Sequence, residues 1–324
     1  MTVMDVQRRV QEVRVNIEKV MVGKSAEIQL VLAAFLASGH VLLEDVPGTG
    51  KTTLAKSLAA SVSGTFKRIQ FTPDLLPTDL TGLNVYNPKT GDFNFRPGGL
   101  FTHILLADEI NRATPRTQSG LLECMEERQI SMDGETYPLK APYFVMATQN
   151  PIETQGTFPL PEAQLDRFLM QLAIGYPENE EEIINRFLHN SPLEGLRAII
   201  STDEWVDMQR AAAGVRVHPD LCGYIADLAR NTRNNEAVAL GVSPRGSLAL
   251  AKAAQGYAAI NGREFVKPDD IKYLAPFVWA HRITLRGVGQ NTNRKQIVAD
   301  ALTRVTVPTE EFWHTHTQSG YEIT

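Results

Sequence analysis

This sequence has few cysteines, no long hydrophobic run and no excess of positive charge. Its 324 residues include two cysteines, Cys124 and Cys222, too few for a disulfide framework or a cysteine metal cluster. The most apolar region, residues 28–43, is interrupted by polar residues and falls short of the roughly 20 apolar residues of a membrane-spanning helix. Lys and Arg number 32 against 37 Asp and Glu, and this net charge of -5 disfavours a dedicated nucleic-acid-binding protein. Residues 1–14 lack the apolar core of a signal peptide, so we expect a reducing, cytoplasmic environment.

What the sequence does contain is three short, continuous apolar runs, at residues 40–44, 103–107 and 143–147. Continuous runs are typical of strands buried on both faces, as in a parallel sheet covered by helices. Each run ends in polar or glycine-containing residues, and ligands of open α/β sheets bind outside the carboxyl ends of the strands. Three sets of polar groups at one edge therefore predict one site. Residues 66–71 and 169–174 are candidates for two further strands.

Two predicted hairpins, at about residues 84–96 and 128–139, interrupt the α/β pattern, and either one alone is as consistent with surface decoration as with a function. After residue 177 strand-like runs become scarce and helical periodicity takes over. We therefore predict an α/β domain over 1–176, a smaller helical domain over 177–288 and a C-terminal extension over 289–324. The extension has no assigned function, and its histidines His314 and His316 are expected to be solvated rather than metal-bound.

The strongest motif is the segment DVPGTGKT, which starts at Asp45 and ends at Thr52. A strand ends, a glycine-containing loop turns, and a helix begins, so that backbone N–H groups and the helix N-terminus can bind phosphate. In such loops the lysine, here Lys51, reaches the outer phosphates, and the hydroxyl of Thr52 ligates Mg²⁺. The strict pattern has glycine where this chain has Asp45, but the other positions are intact. The predicted nucleotide-binding residues of the loop are Pro47, Gly48, Thr49, Gly50, Lys51, Thr52 and Thr53.

Acidic residues follow the second apolar run, and an amide follows the third. Asp108 stands where P-loop NTPases place a carboxylate that holds Mg²⁺. Glu109 is adjacent and suited to polarise a water for attack on the γ-phosphate. Asn150 is a candidate to hydrogen-bond that water or the γ-phosphate, although a turn residue is the plainer interpretation. We therefore predict that the site binds ATP and Mg²⁺, and that Thr52 and Asp108 are the metal-binding residues.

With these three strand ends, the sequence resembles an AAA+ ATPase, and specifically the MoxR family. The resemblance covers about residues 22–286. It is carried by EDVPGTGKTT at 44–53, DEINRA at 108–113, ATQNP at 147–151, LPEAQLDRF at 160–168 and SPR at 243–245.

The resemblance implies roles for residues outside the phosphate loop. Asn150 is similar to the sensor-1 residue, and Arg245 to the sensor-2 arginine that contacts the γ-phosphate near the start of a lid helix. Arg167 is similar to the arginine finger offered to a neighbouring subunit's nucleotide. Val22 and Gly23 resemble the segment that packs against adenine. The two hairpins resemble the inserts that face the central pore of a ring in this branch of the family.

Several of these positions have simpler alternatives. Without the resemblance, Arg167 would be interpreted as a local ion pair with Asp166, and Arg245 as decoration of an exposed helix. Arg112, close to the acidic pair, is nearly as consistent with an exposed loop arginine as with a contact to a neighbour. Gly246 stands where alanine is commoner in the family, and we expect it to weaken the helix start by roughly 1 kcal/mol.

The resemblance implies magnesium-dependent ATP hydrolysis by a ring oligomer, expected to be a hexamer, that remodels or matures protein complexes. A von Willebrand factor A domain partner often accompanies such proteins. A DNA-remodelling AAA+ motor is an alternative, but the hairpins offer Lys89 and Lys140 against Asp92, Asp133 and Glu135. A magnesium-chelatase-like ATPase subunit and a nucleotide-gated scaffold are further alternatives; an intact Glu109 argues against the scaffold.

Overall fold

The computed structural model describes residues 1–151, 155–177, 179–188, 192–286 and 293–308. His314 and His316 of the predicted extension lie outside the described residues. In the described part, no helix combines the length and the apolar character that crossing a membrane requires.

A five-stranded parallel sheet forms the centre of the molecule. The strands in chain order are β1 (Val41–Glu44), β2 (Phe66–Gln70), β3 (Gly82–Asn87), β4 (Asp92–Pro97), β5 (Ile104–Asp108), β6 (Gln129–Met132), β7 (Glu135–Pro138), β8 (Phe144–Gln149), β9 (Met170–Leu172), β10 (Val238–Leu240) and β11 (Thr284–Leu285). The central sheet has the order β2-β5-β8-β1-β9, with every neighbouring pair parallel. The three strands predicted from apolar runs and the two further candidates, at residues 66–71 and 169–174, are all in it, and the predicted fold class is confirmed.

Helices lie on both faces of this sheet, and further helices form the domain that follows it in sequence. They are α1 (Val3–Glu18), α2 (Ser25–Leu36), α3 (Lys51–Ser61), α4 (Pro77–Thr81), α5 (Pro115–Glu127), α6 (Glu162–Leu165), α7 (Glu180–Phe187), α8 (Thr202–Ala213), α9 (Pro219–Arg233), α10 (Pro244–Ile260), α11 (Pro268–Trp279) and α12 (Arg294–Arg304). Alternate residues of the central strands belong to two different cores: Leu106 of β5 lies in one and Leu105 in the other, both fully buried. Burial on both faces explains why these strands are continuous apolar runs.

The helical domain extends further in sequence than predicted. Helices α1 and α2, from the N-terminus, pack against α8 and α10, and α12 packs against α9 and α11. Ile297, Val298 and Ala301 of α12 are buried in that contact. The sequence analysis placed α12 in the extension, yet its apolar face completes the helical core.

The two hairpins β3–β4 and β6–β7 form where they were predicted, and they touch each other. The rings of Phe95 and Tyr137 stack at 4.2 Å between centroids. Asn84 Nδ2 donates a hydrogen bond of 2.7 Å to Asp133 Oδ2. The pair of inserts is therefore one unit.

Gly246 has a packing role. A Cβ at this position would lie 2.8 Å from Val242 Cγ1 and 3.1 Å from Arg282 Cδ. Its carbonyl accepts a hydrogen bond of 2.9 Å from Trp279 Nε1, and its N–H is capped by Ser243 Oγ at 3.0 Å. The glycine admits the Arg282 side chain, which the expectation of a weakened helix start did not include.

Candidate active site

The phosphate loop turns through two glycines in left-handed conformation. Gly48 has φ +85° and Gly50 φ +86°, values that glycine adopts without the cost of a Cβ. Helix α3 begins at Lys51, whose Nζ donates to the carbonyls of Asp45 (3.1 Å) and Val46 (2.7 Å). The lysine thus lies against its own loop.

A cavity of about 240 Å³ brings together the polar groups that follow three strands. It is lined by Asp45, residues 47–52, Arg68, Asp108, Glu109 and residues 148–150. Thr52 and Asp108 offer oxygen atoms of the kind that Mg²⁺ prefers, and Lys51 and the helix N-terminus suit a phosphate chain. The donor set therefore fits a magnesium nucleotide.

Asp45, which stands where the strict motif has glycine, stabilises the phosphate loop through its carboxylate. Its side chain is buried, and Oδ2 accepts hydrogen bonds from the backbone N–H groups of Ile174 (2.9 Å) and Gly175 (2.7 Å). Oδ1 accepts from the N–H of Val46 at 2.8 Å. Because Ile174 and Gly175 follow β9, the carboxylate fastens the phosphate loop to the segment that leads into the helical domain. A glycine at position 45 cannot make these bonds.

Thr148, at the carboxyl end of β8, organises the acidic pair. Its hydroxyl donates to Asp108 Oδ1 at 2.6 Å and accepts from the backbone N–H of Glu109 at 2.8 Å. Glu109 itself has left-handed backbone angles, φ 55° and ψ 50°. One hydroxyl thus fixes the carboxylate of one residue and the backbone of the next. The sequence analysis included Thr148 only as part of the ATQNP segment and gave it no role, because this pairing depends on the neighbouring position of β5 and β8.

Strand β2 supplies a partner for each carboxylate. Arg68 donates to Asp108 Oδ2 through Nε (3.0 Å) and Nη2 (2.5 Å), and Gln70 Nε2 donates to Glu109 Oε2 at 2.9 Å. Glu109 Oε2 also forms an ion pair of 3.1 Å with Arg112 Nε, so Arg112 belongs to this site. Neither Arg68 nor Gln70 was predicted; the signal available was a strand with polar residues two positions apart, which share one face.

A second cavity, of about 460 Å³, adjoins the other side of the phosphate loop. Its lining includes residues 20–22, loop residues 48–50 and the apolar face of α7, with Ile183, Ile184 and Phe187. Val22 is in this lining, and Gly23 turns the segment with φ +68°. The mainly apolar wall next to a phosphate site suits an adenine ring.

Arg167 and Arg245 lie elsewhere. Neither is among the described residues that line the two cavities. Arg167 Nε lies 3.2 Å from Glu126 Oε2, and Arg245 Nη2 lies 3.1 Å from Glu126 Oε1. The residue before Glu126 contacts His40, directly before β1, through its carbonyl (3.0 Å), so this cluster is at the amino ends of the strands. The structure brings Asn150 to the phosphate cavity and holds the two arginines together at the opposite edge.

Asp166, the residue next to Arg167, links the segments that carry the two arginines. Asp166 Oδ1 accepts from Arg282 Nε at 2.6 Å, and Asp166 Oδ2 accepts from the hydroxyl of Ser243, the N-cap of α10, at 3.1 Å. Burial lowers the pKa of Arg282, and the charge of Asp166 opposes that change. Asp166 precedes Arg167 and Ser243 lies two residues before Arg245. The two arginines therefore lie at one hydrogen-bonded junction between the domains.

Comparison with known proteins matches both parts of the fold. Residues 40–170 match the model of the ATPase family associated with various cellular activities (AAA). Residues 230–302 match that of the AAA lid domain. The first range contains the phosphate loop and the acidic pair, and the second runs from the end of α9 to α12.

Several proteins are similar over most of the chain. YeaC of Bacillus subtilis, described as uncharacterized, is 50% identical over 299 residues, 91% of this chain and 93% of its own length. Chaperone MoxR1 of Mycobacterium tuberculosis is 43% identical over 83% of this chain and 74% of its own. Protein MoxR of Paracoccus denitrificans is 33% identical over 86% and 89%. A crystal structure from Cytophaga hutchinsonii, of a protein provisionally assigned as an ATPase, superposes with a TM-score of 0.88 at 36% identity, over 95% of this chain and 97% of that one.

Proposed function

The chain belongs to the MoxR family of AAA+ ATPases, and we propose that it couples magnesium-dependent ATP hydrolysis in a ring, taken as a hexamer, to the remodelling or maturation of protein complexes. The supporting observation is the convergence of the phosphate loop, Asp108, Glu109 and Asn150 on one cavity. Phosphoryl transfer needs mainly positioning and charge stabilisation, and these residues provide both.

Each residue has a role that follows from its position. Loop N–H groups and Lys51 bind the phosphates, while Thr52 and Asp108 hold Mg²⁺, which when bound neutralises phosphate charge. Glu109 orients and polarises the attacking water, and Asn150 hydrogen-bonds that water or the γ-phosphate. Val22 and Gly23 border the adenine.

We propose that the site is shared between subunits. Arg167 and Arg245 lie together at the edge of the sheet opposite the phosphate cavity, so they are placed to reach the nucleotide of a neighbour rather than their own. The sequence analysis expected Arg245 to contact the γ-phosphate as a sensor-2 arginine, and this proposal assigns that γ-phosphate to the neighbouring subunit. An arginine supplied from a neighbour is worth about 10³ to 10⁵ in rate, so an isolated subunit would be nearly inactive.

The client in this proposal is a protein. Tyr86 and Phe93 at the tip of the first hairpin are 54% and 69% exposed, and their rings lie 5.4 Å apart. An exposed aromatic pair suits an apolar protein segment better than a phosphate backbone. The chaperone name of one relative agrees with this choice. A partner with a von Willebrand factor A domain and a cytoplasmic location stay in the proposal on the family resemblance.

Subunit mixing tests the shared site. Glu109→Gln keeps both arginines but lacks the water-activating group, and Arg167→Ala keeps that group but lacks the finger. We expect each variant alone to be nearly inactive and a mixture to recover turnover, because some interfaces then combine an intact Glu109 with an intact Arg167. Arg210→Ala, which removes a 75% exposed arginine from α8, is the matched control and should behave as wild type. A mixture no more active than the sum of its parts would contradict the shared site.

A further inference from the structure

The acidic residue expected to hold Mg²⁺ already has a cation on it. Arg68 donates two hydrogen bonds to one oxygen of Asp108, Oδ2, while the other oxygen, Oδ1, accepts from Thr148. An arginine with two donors on one carboxylate oxygen forms a charge-assisted contact, stronger than an ordinary hydrogen bond. Asp108 therefore has both oxygens engaged within the protein.

The side chain of Arg68 can move away from Asp108 without disrupting the other contacts of the site. Its side chain is 48% exposed, whereas that of Asp108 is 13% exposed. Strand β2 is the edge strand of the sheet, so one side of Arg68 faces solvent. Thr148 would still hold Asp108 after Arg68 moves away. In this ion pair the Arg68 side chain has room to change position, whereas Asp108 is held in place by Thr148.

Arg68 also contributes to the charge of the cavity. Among the described residues lining it, Lys51 and Arg68 are the cationic ones. Lys51 contacts backbone carbonyls, whereas Arg68 contacts a metal-ligating carboxylate. A guanidinium and a divalent cation repel each other, and they compete for the same oxygen.

We propose that Arg68 and Mg²⁺ are alternative partners of Asp108. Arg68 is a positioning residue: it keeps the carboxylate in place before a magnesium nucleotide binds, and it must leave Oδ2 when the metal arrives. This inference rests on the proposed function, since it concerns the metal of the same site. It implies that Arg68 raises the concentration of divalent metal that the site requires.

The proposal predicts that removing the charge of Arg68 changes two binding affinities in opposite directions. Removing the positive charge of Arg68 should tighten divalent-metal binding, because the competitor is gone. The same change should weaken the binding of nucleotide without metal, because the cavity loses one of its two cations. A residue that merely supports the fold would weaken both.

The experiment compares Arg68→Gln with wild type in two binding assays. Mn²⁺ affinity is measured in the presence of ADP from the EPR signal of free Mn²⁺, and metal-free affinity from the fluorescence of N-methylanthraniloyl-ADP in EDTA. We expect Mn²⁺ to bind about three- to tenfold tighter and metal-free nucleotide about three- to tenfold weaker, the range for loss of a partly exposed ion pair. Lys67→Gln removes the same charge from the next residue, whose Nζ donates to the carbonyl of Gly98 at 2.9 Å, and should alter neither affinity.

A second variant guards against a folding defect. Arg68→Lys keeps the charge, so it should lose less metal-free nucleotide affinity than Arg68→Gln does. Unchanged or weaker Mn²⁺ binding in Arg68→Gln, with nucleotide binding intact in wild type, would overturn this inference alone. Failure of wild type to bind Mn²⁺ and ADP would overturn the proposed function and this inference with it.

Discussion

Arg167 of the α/β domain and Arg245 of the helical domain share one counter-ion, because each lies against a different oxygen of Glu126. Two guanidinium groups repel each other unless an anion lies between them. The carboxylate thus allows two catalytic candidates from different domains to occupy one small area of surface. Asp166 reinforces this arrangement through Arg282 and Ser243.

Replacement of Glu126 should lower turnover without affecting nucleotide binding. In Glu126→Ala the arginines lose their common partner, and we expect kcat to fall about three- to tenfold, in the range of one or two surface ion pairs. KM for ATP should be unchanged, because the phosphate loop is at the other edge of the sheet. Glu127→Ala, the neighbouring exposed acid, is the control for steady-state assays at saturating subunit concentration. A rise in KM at constant kcat would contradict this role.

Restoring the strict phosphate-loop motif should be harmful here. Asp45→Gly leaves the N–H groups of Ile174 and Gly175 without their acceptor, and we expect the free energy of unfolding to fall by about 2–4 kcal/mol. Urea denaturation measures this loss, and nucleotide titration should show weaker binding. An Asp45→Gly protein as stable as wild type would show that the carboxylate does not fasten the loop.

Thr148→Val should separate catalysis from binding. Valine keeps the shape of threonine but removes the hydroxyl that holds Asp108 and the backbone of Glu109. We expect turnover to fall at least about tenfold, the effect of losing one or two hydrogen bonds that position catalytic groups. Thr148→Ser should restore most of the activity. Equal turnover in the valine and serine variants would argue against this role.

Gly246 and Gly120 should respond oppositely to alanine. Gly246→Ala places a Cβ 2.8 Å from Val242 Cγ1, so we expect about 1–3 kcal/mol of destabilisation despite the better helix propensity. Gly120 is in α5 and a Cβ there would meet nothing within 4 Å. Gly120→Ala should therefore stabilise by about 0.5–1 kcal/mol. Thermal unfolding of the two variants gives the comparison, and stabilisation by Gly246→Ala would show that the site has spare room.

The free energy of unfolding should decrease as the pH is lowered below about 6.5. Burial, aided by the charge of Arg128, lowers the pKa of His40 to about 3, and burial also lowers the pKa of His281, which lies beside Arg282. Both stay neutral in the folded protein and become protonated in the unfolded chain below about pH 6.5. Their contribution is complete above that pH and is lost as the pH falls. Each adds a slope of about 1.4 kcal/mol per pH unit.

The measurement is the free energy of unfolding in urea at several values between pH 7.5 and 5. His40 accepts from Val145 N–H at 3.0 Å and contacts the carbonyl of Met125. His40→Gln should lower stability at neutral pH and remove one histidine's share of the slope. An unchanged slope would mean that His40 does not titrate on unfolding.

The parts that the sequence predicted well are local in the chain. A strand, a glycine loop and a helix N-terminus follow one another within 12 residues around Lys51, so their geometry needs no long-range information. Apart from Arg112, the described partners of Asp108 and Glu109 come instead from β2 and β8, and these partners depend on strand order. The position of Arg245 is a clearer example of a contact that local sequence cannot predict. Its motif predicted a role, but its position at Glu126 results from the packing of α10 against α1 and α2.

The contact between the hairpins has a mechanical consequence. The stacked rings of Phe95 and Tyr137 join the exposed tip of the first hairpin to the second. That second hairpin continues from α5, which carries Glu126, and leads on to β8, which ends beside Asn150. The first hairpin is therefore connected, through the second hairpin, α5 and β8, to both edges of the sheet. In the proposed function, tension on a client would therefore reach Asn150 at one edge of the sheet and Glu126 with its two arginines at the other.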